Sequence, residues 1–455
     1  MTTTDIRAGR FSQEQLAENF SDHHPPLSSA NAKVESARCY FCYDAPCIEA
    51  CPTAIDIPNF IRKISTGNLK GSAKDILTQN IMGGMCARVC PTEILCEGVC
   101  VRNTQDENPV RIGDLQRYAT DWFFESGETL FKRGEPTGKR IAIIGGGPAG
   151  LSCAHRLAVL GHESIIFEAR EKLSGLNEYG IAAYKTVNDF AQREVEFIMQ
   201  IGGIEARTNH VLGRDFKLDD LRKEFDAVFL SIGLGDVNDL GLGDNYPEGV
   251  YNDFDTIAEL RQAKSLEKLT VGRRIVVIGG GNTAIDIAVQ SKKLGSEDVS
   301  LVYRRGAQHM SATWKEQEFA KSNGVNIKYW LSPKSLHSEN GHVSGVEFEC
   351  TKLTSYGKLS VTGESRFMEA DVVFKAIGQS MQDTMFSGSG MPEIKKGKIA
   401  VNKDFETSLA GVWSGGDCLG SGDDLTVQAV EDGKRAANSI HQKIMEQKQN
   451  SVIKF

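Results

Sequence analysis

No apolar run in the 455 residues approaches the roughly 20 needed to cross a bilayer. The first fifteen residues, MTTTDIRAGRFSQEQ, contain no apolar core of the signal-peptide kind. The chain is therefore expected in the cytoplasm, with no membrane partner. Positive charge is also in short supply. Lys and Arg number 52 against 60 Asp and Glu, a net charge of −8 that argues against nucleic acid as the main partner. No Ser, His and Asp set stands out as nucleophilic machinery, and His309 and the other histidines read as ordinary surface or core residues. What is present suits a globular protein. The chain is 40% hydrophobic and 25% charged, with length for about three domains at roughly 150 residues each.

Cysteine is concentrated at one end. Eight of eleven lie in two matching runs, Cys39-x2-Cys42-x4-Cys47-x3-Cys51-Pro52 and Cys86-x3-Cys90-Pro91-x4-Cys96-x3-Cys100. Disulfides are rare in cytosolic proteins. A four-cysteine zinc site usually presents two CxxC-like pairs, and only Cys39-x2-Cys42 has that form. Runs ending in Cys-Pro are typical of ferredoxin-like cluster binding, in which the last thiolate can serve the other cluster. Iron–sulfur is the leading reading, with zinc and disulfides as alternatives. Cys153, Cys350 and Cys418 stand alone and read as small buried apolar residues.

Residues 1–135 read as short helices and cysteine loops. Ser12 is placed to cap a helix through QEQLAENF, and 56–66 and 69–80 carry helical apolar spacing. GEPTG at 134–138 breaks the pattern. A βαβ unit follows. RIAII is a buried strand, Gly145-x-Gly147-x-x-Gly150 a tight turn, LSCAHRLAVLG a helix, and SIIFE a strand ending at Glu168. The design returns in RIVVIGGGNTAIDIAVQSKKLG and VSLVYRR, with Gly279-x-Gly281-x-x-Ala284 at the turn. Glycines there let the backbone approach a pyrophosphate, which sits on the helix N-terminus. Glu168 can accept from a ribose 2′-hydroxyl and would repel a 2′-phosphate, which suits FAD or NAD. The second unit has Val302 at the matching place, then Tyr303, Arg304 and Arg305. Two guanidiniums suit a 2′-phosphate, so this site reads as NADP(H). The alternative is NAD(H), with the arginines as solvated surface charge. Gly411 to Asp417 reads as a strand running into a glycine turn, and Thr426 to Ala437 as a helix packing back on the first βαβ unit. Residues 446–455 read as a loose tail. The expected fold is α/β: an N-terminal all-α iron–sulfur domain (1–135), then two Rossmann-like domains. The second (256–384, NAD(P)) is inserted in the first (138–255 and 385–455, FAD). A flavin takes hydride from a nicotinamide and releases electrons singly, and clusters carry them singly, so the parts form a two-to-one electron converter.

These residues in this order resemble the family of the bacterial glutamate synthase small subunit and the N-terminal half of dihydropyrimidine dehydrogenase, over almost the whole chain. The nearest likeness is to the nicotinamide-oxidising flavin subunit of two-subunit bacterial dihydropyrimidine dehydrogenases. The resemblance implies two [4Fe–4S] clusters with crossed ligation. One takes Cys39, Cys42, Cys47 and Cys100. The other takes Cys51, Cys90, Cys96 and Gln116, with Cys86 left over. A glutamine there marks the pyrimidine enzymes, whereas the glutamate synthase relatives are expected to carry a glutamate. The resemblance further implies FAD at Gly145, Gly147, Pro148, Ala149, Gly150, Leu151 and Glu168, at Gly175, Leu176 and Lys185, and at Gly416 and Asp417. It implies the nicotinamide nucleotide at Gly279, Gly280, Gly281, Asn282, Thr283, Ala284, Arg304 and Arg305. Hydride transfer occurs at the flavin, so no side chain is assigned a catalytic role.

The chain also departs from the family. A Gly-Ile-Pro-x-Phe-Arg-Leu-Pro stretch is replaced by Gly180-Ile-Ala-Ala-Tyr184-Lys185-Thr186, and a further basic residue at the 2′-phosphate falls at Ser311. The pyrimidine-reducing FMN TIM barrel is not in this sequence. The resemblance therefore implies electron delivery to a separate FMN-containing barrel subunit in a hetero-oligomer. A glutamate synthase small subunit is the second reading. A binding subunit that kept the fold and lost the chemistry is the third, on the altered 174–186 loop.

Overall fold

The computed structural model describes residues 6–7, 11–243, 245–420 and 422–452. The remaining residues of the opening stretch, Met1–Asp5 and 8–10, lie outside the described residues. Two compact units emerge. One combines 24–178, 188–235 and 381–455; the other combines the segment up to His23 with 179–187 and 236–380. Among the described residues no helix is long and apolar enough to cross a membrane.

The first unit holds the cysteine runs and the first fingerprint together. Its sheet is wholly parallel, in the order Val412–Ser414, Ala227–Leu230, Arg140–Ile144, Glu163–Phe167, Ile204–Arg207. Strand Arg140–Ile144 is central and almost wholly buried, as its unbroken apolar run requires. The helix Thr426–Val452 packs on the fingerprint helix Pro148–Val159. Ser152 Oγ donates to Val430 O at 2.7 Å, and a Cβ on Gly433 would fall 2.1 Å from Ala149 O. The expected loose tail is corrected, since the helix continues to Val452; 453–455 lie outside the described residues.

The cysteine-bearing helices are short. Ile57–Ser65 and Leu69–Gln79 match the apolar spacing and are capped by Asp56 and Asn68. Helix Gly83–Val89 carries Cys86 and ends at Cys90. Its leading edge is rooted in the flavin-type core, where Ile81, Met82 and Met85 are buried with Phe190 and Ile198. Glu194 Oε1 accepts from the N–H groups of Gly84 (3.0 Å) and Met85 (3.1 Å). The cysteine segment and the first nucleotide fold are thus one packed body.

The second unit repeats the parallel sheet, in the order Asn326–Tyr329, Asp298–Tyr303, Arg274–Gly279, Val372–Ala376, Val250–Asn252. A three-stranded antiparallel sheet, Leu331–Glu339, His342–Leu353 and Leu359–Glu369, forms its crossover. Two expected boundaries shift. Strand Val250–Asn252 pairs with Val372–Ala376, so the main segment of this unit starts at 236 rather than 256. Helix Gln13–Asn19 forms with Ser12 in a capping box, but it belongs here and not with the cysteines. It buries Leu16 and Phe20 in the nicotinamide-type core. Asn19 Nδ2 donates to Lys293 O at 2.9 Å and Lys293 Nζ to Asn19 O at 2.7 Å.

Candidate functional site: two thiol-lined hollows and two nucleotide turns

The eight cysteines surround two hollows. Cys39, Cys42, Cys47 and Cys100 line the first, with Ile57, Ile61 and Arg102. Cys51, Cys90, Cys96, Gln116 and Cys86 line the second, with Thr92 and Val427. The runs therefore cross. Cys100 joins the first run's hollow, and Cys51 joins the second's. Gln116, on helix Ile112–Ser126, is 8% exposed. Its Nε2 donates to Gly83 O at 2.7 Å, which leaves Oε1 as the end able to act as a ligand.

The donor chemistry fits iron–sulfur clusters. Burial, then the neighbouring Cys39 and Cys100, push the Cys47 thiol up to about 12. Burial and the adjacent Glu97 raise Cys96. Such thiols become thiolates only beside a compensating metal charge. Two sulfurs already carry polar partners. Phe41 N–H donates to Cys39 Sγ at 3.4 Å, and Cys51 Sγ lies 3.3 Å from Thr53 Oγ1. Of the lone cysteines, Cys153 and Cys418 are buried and Cys350 is half-buried.

The first nucleotide turn is built by close backbone approach. Gly145 has φ +102°, and a Cβ there would lie 2.2 Å from Ser231 O. A Cβ on Gly150 would lie 2.0 Å from Gly145 O. Pro148, Ala149, Gly150 and Leu151 form the first turn of the helix beyond. Glu168, the residue after strand Glu163–Phe167, accepts from Gly146 N at 2.7 Å and Arg170 N at 2.8 Å. Burial raises its carboxyl. Gly175 closes on the turn, since its Cβ would be 2.9 Å from Gly147 Cα; Leu176 opens the short helix beyond. Gly416 packs against Ala149, and Asp417 beside it is pushed up to about 6 by burial and then by Asp424. Several contributors carried no sequence signal. Ser174 has φ +91°, donates its N–H to Gly146 O at 2.8 Å, and keeps a buried Oγ without a partner. Asn177 Oδ1 accepts from Thr426 Oγ1 at 2.9 Å, while its Nδ2 is buried and unpartnered. Asp432 accepts from Gly416 N at 3.1 Å. A turn closed to any Cβ, with orphaned polar atoms beside it, fits a dinucleotide such as FAD. Thr426 serves this site and its neighbour Val427 lines the second hollow, so one helical turn connects the two.

The second turn repeats the design. A Cβ on Gly279 would be 1.9 Å from Ala376 O, and one on Gly280 2.5 Å from the Tyr303 ring. Gly281 caps the helix Asn282–Leu294, which includes Thr283 and Ala284. Ala312 N–H donates to Gly280 O at 2.9 Å, bringing Ser311 to the turn. Arg304 and Arg305 follow strand Asp298–Tyr303. Their carbonyls accept from Thr351 Oγ1 (2.8 Å) and Trp330 N (3.2 Å). Among the described residues neither guanidinium has a carboxylate partner, and Arg305 Nε is buried and unpartnered. His309 lies in the same loop, also with a buried unpartnered Nδ1.

Lys185 is a correction. Its ammonium belongs to the nicotinamide-type unit, 2.7 Å from Asp286 and 2.7 Å from Glu316. The charge expected to serve the flavin is engaged by two acids. Asp286 and Glu316, from helices Asn282–Leu294 and Trp314–Ser322, carried no sequence signal for this role.

Fold and sites together define a pyridine-nucleotide-dependent oxidoreductase with flavin and iron–sulfur centres. The chain belongs to the pyridine nucleotide-disulphide oxidoreductase family, whose model matches residues 133–436. Residues 16–128 match the 4Fe-4S cluster model of dihydropyrimidine dehydrogenase domain II. The glutamate synthase [NADPH] small chain of Escherichia coli K12 is 33% identical, covering 92% of this chain and 93% of that one. The NAD-dependent dihydropyrimidine dehydrogenase subunit PreT of the same strain is 32% identical, covering 92% and 95%. Mycobacterium tuberculosis FprA in complex with NADPH shares the fold with TM-score 0.60 at 18% identity, over 70% of this chain and 86% of that one. The thioredoxin reductase of T. acidophilum does so with TM-score 0.54 at 19% identity, over 67% and 99%.

Proposed function

We propose that this protein is the electron-input subunit of a dihydropyrimidine dehydrogenase, delivering electrons from NAD(P)H to an FMN-containing barrel subunit that reduces uracil or thymine, or running in reverse. When bound, FAD takes hydride from the nicotinamide, and the clusters pass on single electrons. The chain's own residues divide the work. Gly145 to Leu151, Glu168, Gly175, Leu176, Gly416 and Asp417 hold the flavin nucleotide. Gly279 to Ala284 cradle the nicotinamide nucleotide's pyrophosphate, and Arg304 and Arg305 receive a 2′-phosphate. Cys39, Cys42, Cys47 and Cys100 hold one cluster; Cys51, Cys90, Cys96 and Gln116 hold the other.

Gln116 carries the pyrimidine reading. It lines the second hollow with four cysteines, with its amide nitrogen anchored and its oxygen left over. Overall identity decides nothing, because the two relatives differ by one percentage point. The arginine pair favours a second reading, the small subunit of a glutamate synthase, since free guanidiniums suit NADPH and the glutamate synthase relative is the NADPH-named one. The test is reconstitution. The purified chain is mixed anaerobically with an FMN barrel subunit or with a glutamate synthase large subunit, and NADPH or NADH oxidation is followed. Uracil-dependent oxidation with the barrel subunit alone supports the proposal. Oxidation that needs 2-oxoglutarate and glutamine with the large subunit replaces it by the second reading.

A further inference from the structure

Donor side chains without partners gather in the loop beside the second nucleotide turn. Among the described residues the Arg304 and Arg305 guanidiniums have no carboxylate partner, and Arg305 Nε is buried and unpartnered. His309 follows in the same loop. Its Nδ1 is shielded from solvent and has no hydrogen-bond partner. Folded proteins leave few such groups, and one that persists calls for a bound molecule to complete it. The loop itself is braced. Tyr303 Oη donates to His309 O at 2.5 Å, and the same ring covers Gly280, whose Cβ would fall 2.5 Å from it. Gln317, 7% exposed on helix Trp314–Ser322, donates through Nε2 to Ala307 O (3.3 Å) and Ala312 O (2.9 Å). One side chain thus spans the loop. On another flank Trp330 holds φ +63°, a left-handed conformation that is rare for a bulky residue. From there its N–H donates to Arg305 O at 3.2 Å. Its indole stands edge-on to the His309 ring, with centroids 6.3 Å apart. Strain of this kind persists only where the surroundings hold it, and it clusters at ligand sites. The backbone of the loop is therefore satisfied and fixed, while its basic side chains are left over. A rigid frame that presents unpaired donors is built for an acceptor-rich ligand.

We propose that His309 is a specificity-determining residue whose imidazole donates a hydrogen bond to the 2′-phosphate of bound NADP(H), beside Arg304 and Arg305. The inference rests on the reading of that arginine pair as the 2′-phosphate site. In a dinucleotide fold the end of the second strand meets the adenosine ribose at its 2′ position. A 2′-phosphate brings negative charge and several acceptor oxygens there. An imidazole carries an N–H donor in either tautomer. With NAD(H) no phosphate oxygen comes to this place, and the ring stays unpaired. Discrimination then has two sources: a bond gained with one nucleotide, and a shielded polar group left empty with the other.

The test uses the full chain carrying its flavin and clusters, with NADP+ and NAD+ binding measured by anaerobic calorimetry. The two nucleotides differ only in the 2′-phosphate. His309→Ala is expected to weaken NADP+ about tenfold, ~1.4 kcal/mol, and to leave NAD+ within about twofold. A footprint on the unaltered protein gives a readout that stands even if the variant fails to fold. His309 is half-buried and so open to diethyl pyrocarbonate, whose ethoxycarbonyl label is mapped by peptide mass spectrometry. Labelling of His309 is expected to slow severalfold under saturating NADP+, and to slow much less under saturating NAD+. Equal weakening of both nucleotides by His309→Ala would make the residue a structural brace and overturns the proposal, as does an unchanged NADP+ affinity. Equal labelling under the two saturated conditions overturns it too. If the unaltered protein binds NADP+ no more tightly than NAD+, the 2′-phosphate reading of Arg304 and Arg305 itself falls, and this proposal with it.

Discussion

The flavin-type and nicotinamide-type units repeat one sheet, with the fingerprint strand at the centre and the strand of the βαβ unit beside it. In both, the glycine turn is closed to side chains by a carbonyl from the strand on the other flank, Ser231 O or Ala376 O. They differ at the end of the second strand. One has Glu168, drawn back onto its own turn by Gly146 N–H. The other has Arg304 and Arg305, without carboxylate partners. They differ again in their buried acids. Asp286 is matched by Lys185. Glu194 has Oε2 unpartnered, and burial pushes it up to about 8 despite the Gly84 and Met85 N–H groups and Arg88. Backbone geometry makes a phosphate cradle in each unit. A few side-chain charges decide what it accepts and how it responds to pH.

Breaking the matched acid should have the largest effect. Lys185→Met leaves buried Asp286 and half-buried Glu316 without a cation, and is expected to destabilise the nicotinamide-type unit by about 3–5 kcal/mol. Calorimetry should show that transition falling, with partial recovery in Lys185→Met/Asp286→Asn. An unchanged transition would mean that the triad is solvated.

The third fingerprint position sharpens the comparison of the turns. Gly150→Ala drives a Cβ against Gly145 O and is expected to cost roughly 2–3 kcal/mol, with flavin lost on gel filtration. At the equivalent place the second unit already has Ala284, wholly buried. Ala284→Gly should cost only about 1 kcal/mol, the helix propensity difference. Equal losses in the two variants would dissolve the distinction.

The strand-end charges come next. Arg304→Ala/Arg305→Ala is expected to raise KM for NADPH roughly tenfold to a hundredfold, on the order of 1.4–2.7 kcal/mol, with little change for NADH. Steady-state kinetics with a dye acceptor measures this. A parallel rise for both nucleotides would remove the phosphate assignment.

Glu194 should give the smallest effect. Its folded-state pKa lies above the ordinary 4.5, so the folded protein binds the extra proton between these values. The stability tied to this proton is complete below about pH 4.5 and is lost as pH rises through about 8. Glu194→Gln should remove that component, becoming more stable than the parent at pH 9 by on the order of 1–2 kcal/mol. Denaturation at pH 6 and pH 9 tests it. Parallel curves for the two proteins would show that the carboxyl titrates normally.

Much of the site was legible because it is local. Ser12, the helices at 57–65 and 69–79, both glycine turns and the acid after the first second-strand all follow from spacing of a few residues. Gln116 and the crossed thiols came from family resemblance. Other contributors were not legible. Ser174 matters through a left-handed backbone, Asn177 through Thr426, and Glu194 through amides 110 and 109 positions away. Lys185 was placed with the flavin by the family resemblance, yet its charge is engaged by residues more than a hundred positions onward.

The amino-acid sequence alone determined the chemical inventory: eight clustered thiols, two phosphate-binding turns, one acidic and one basic strand end. These depend on residue type and short-range spacing, which the chain carries without folding. Only the tertiary structure decided which thiols share a hollow and which acid receives Lys185. It also decided where helix Gln13–Asn19 is buried, and that the cysteine helices share a core with the first nucleotide fold. Those outcomes depend on which apolar faces and charges meet across long stretches of chain, and burial, not spacing, makes that selection.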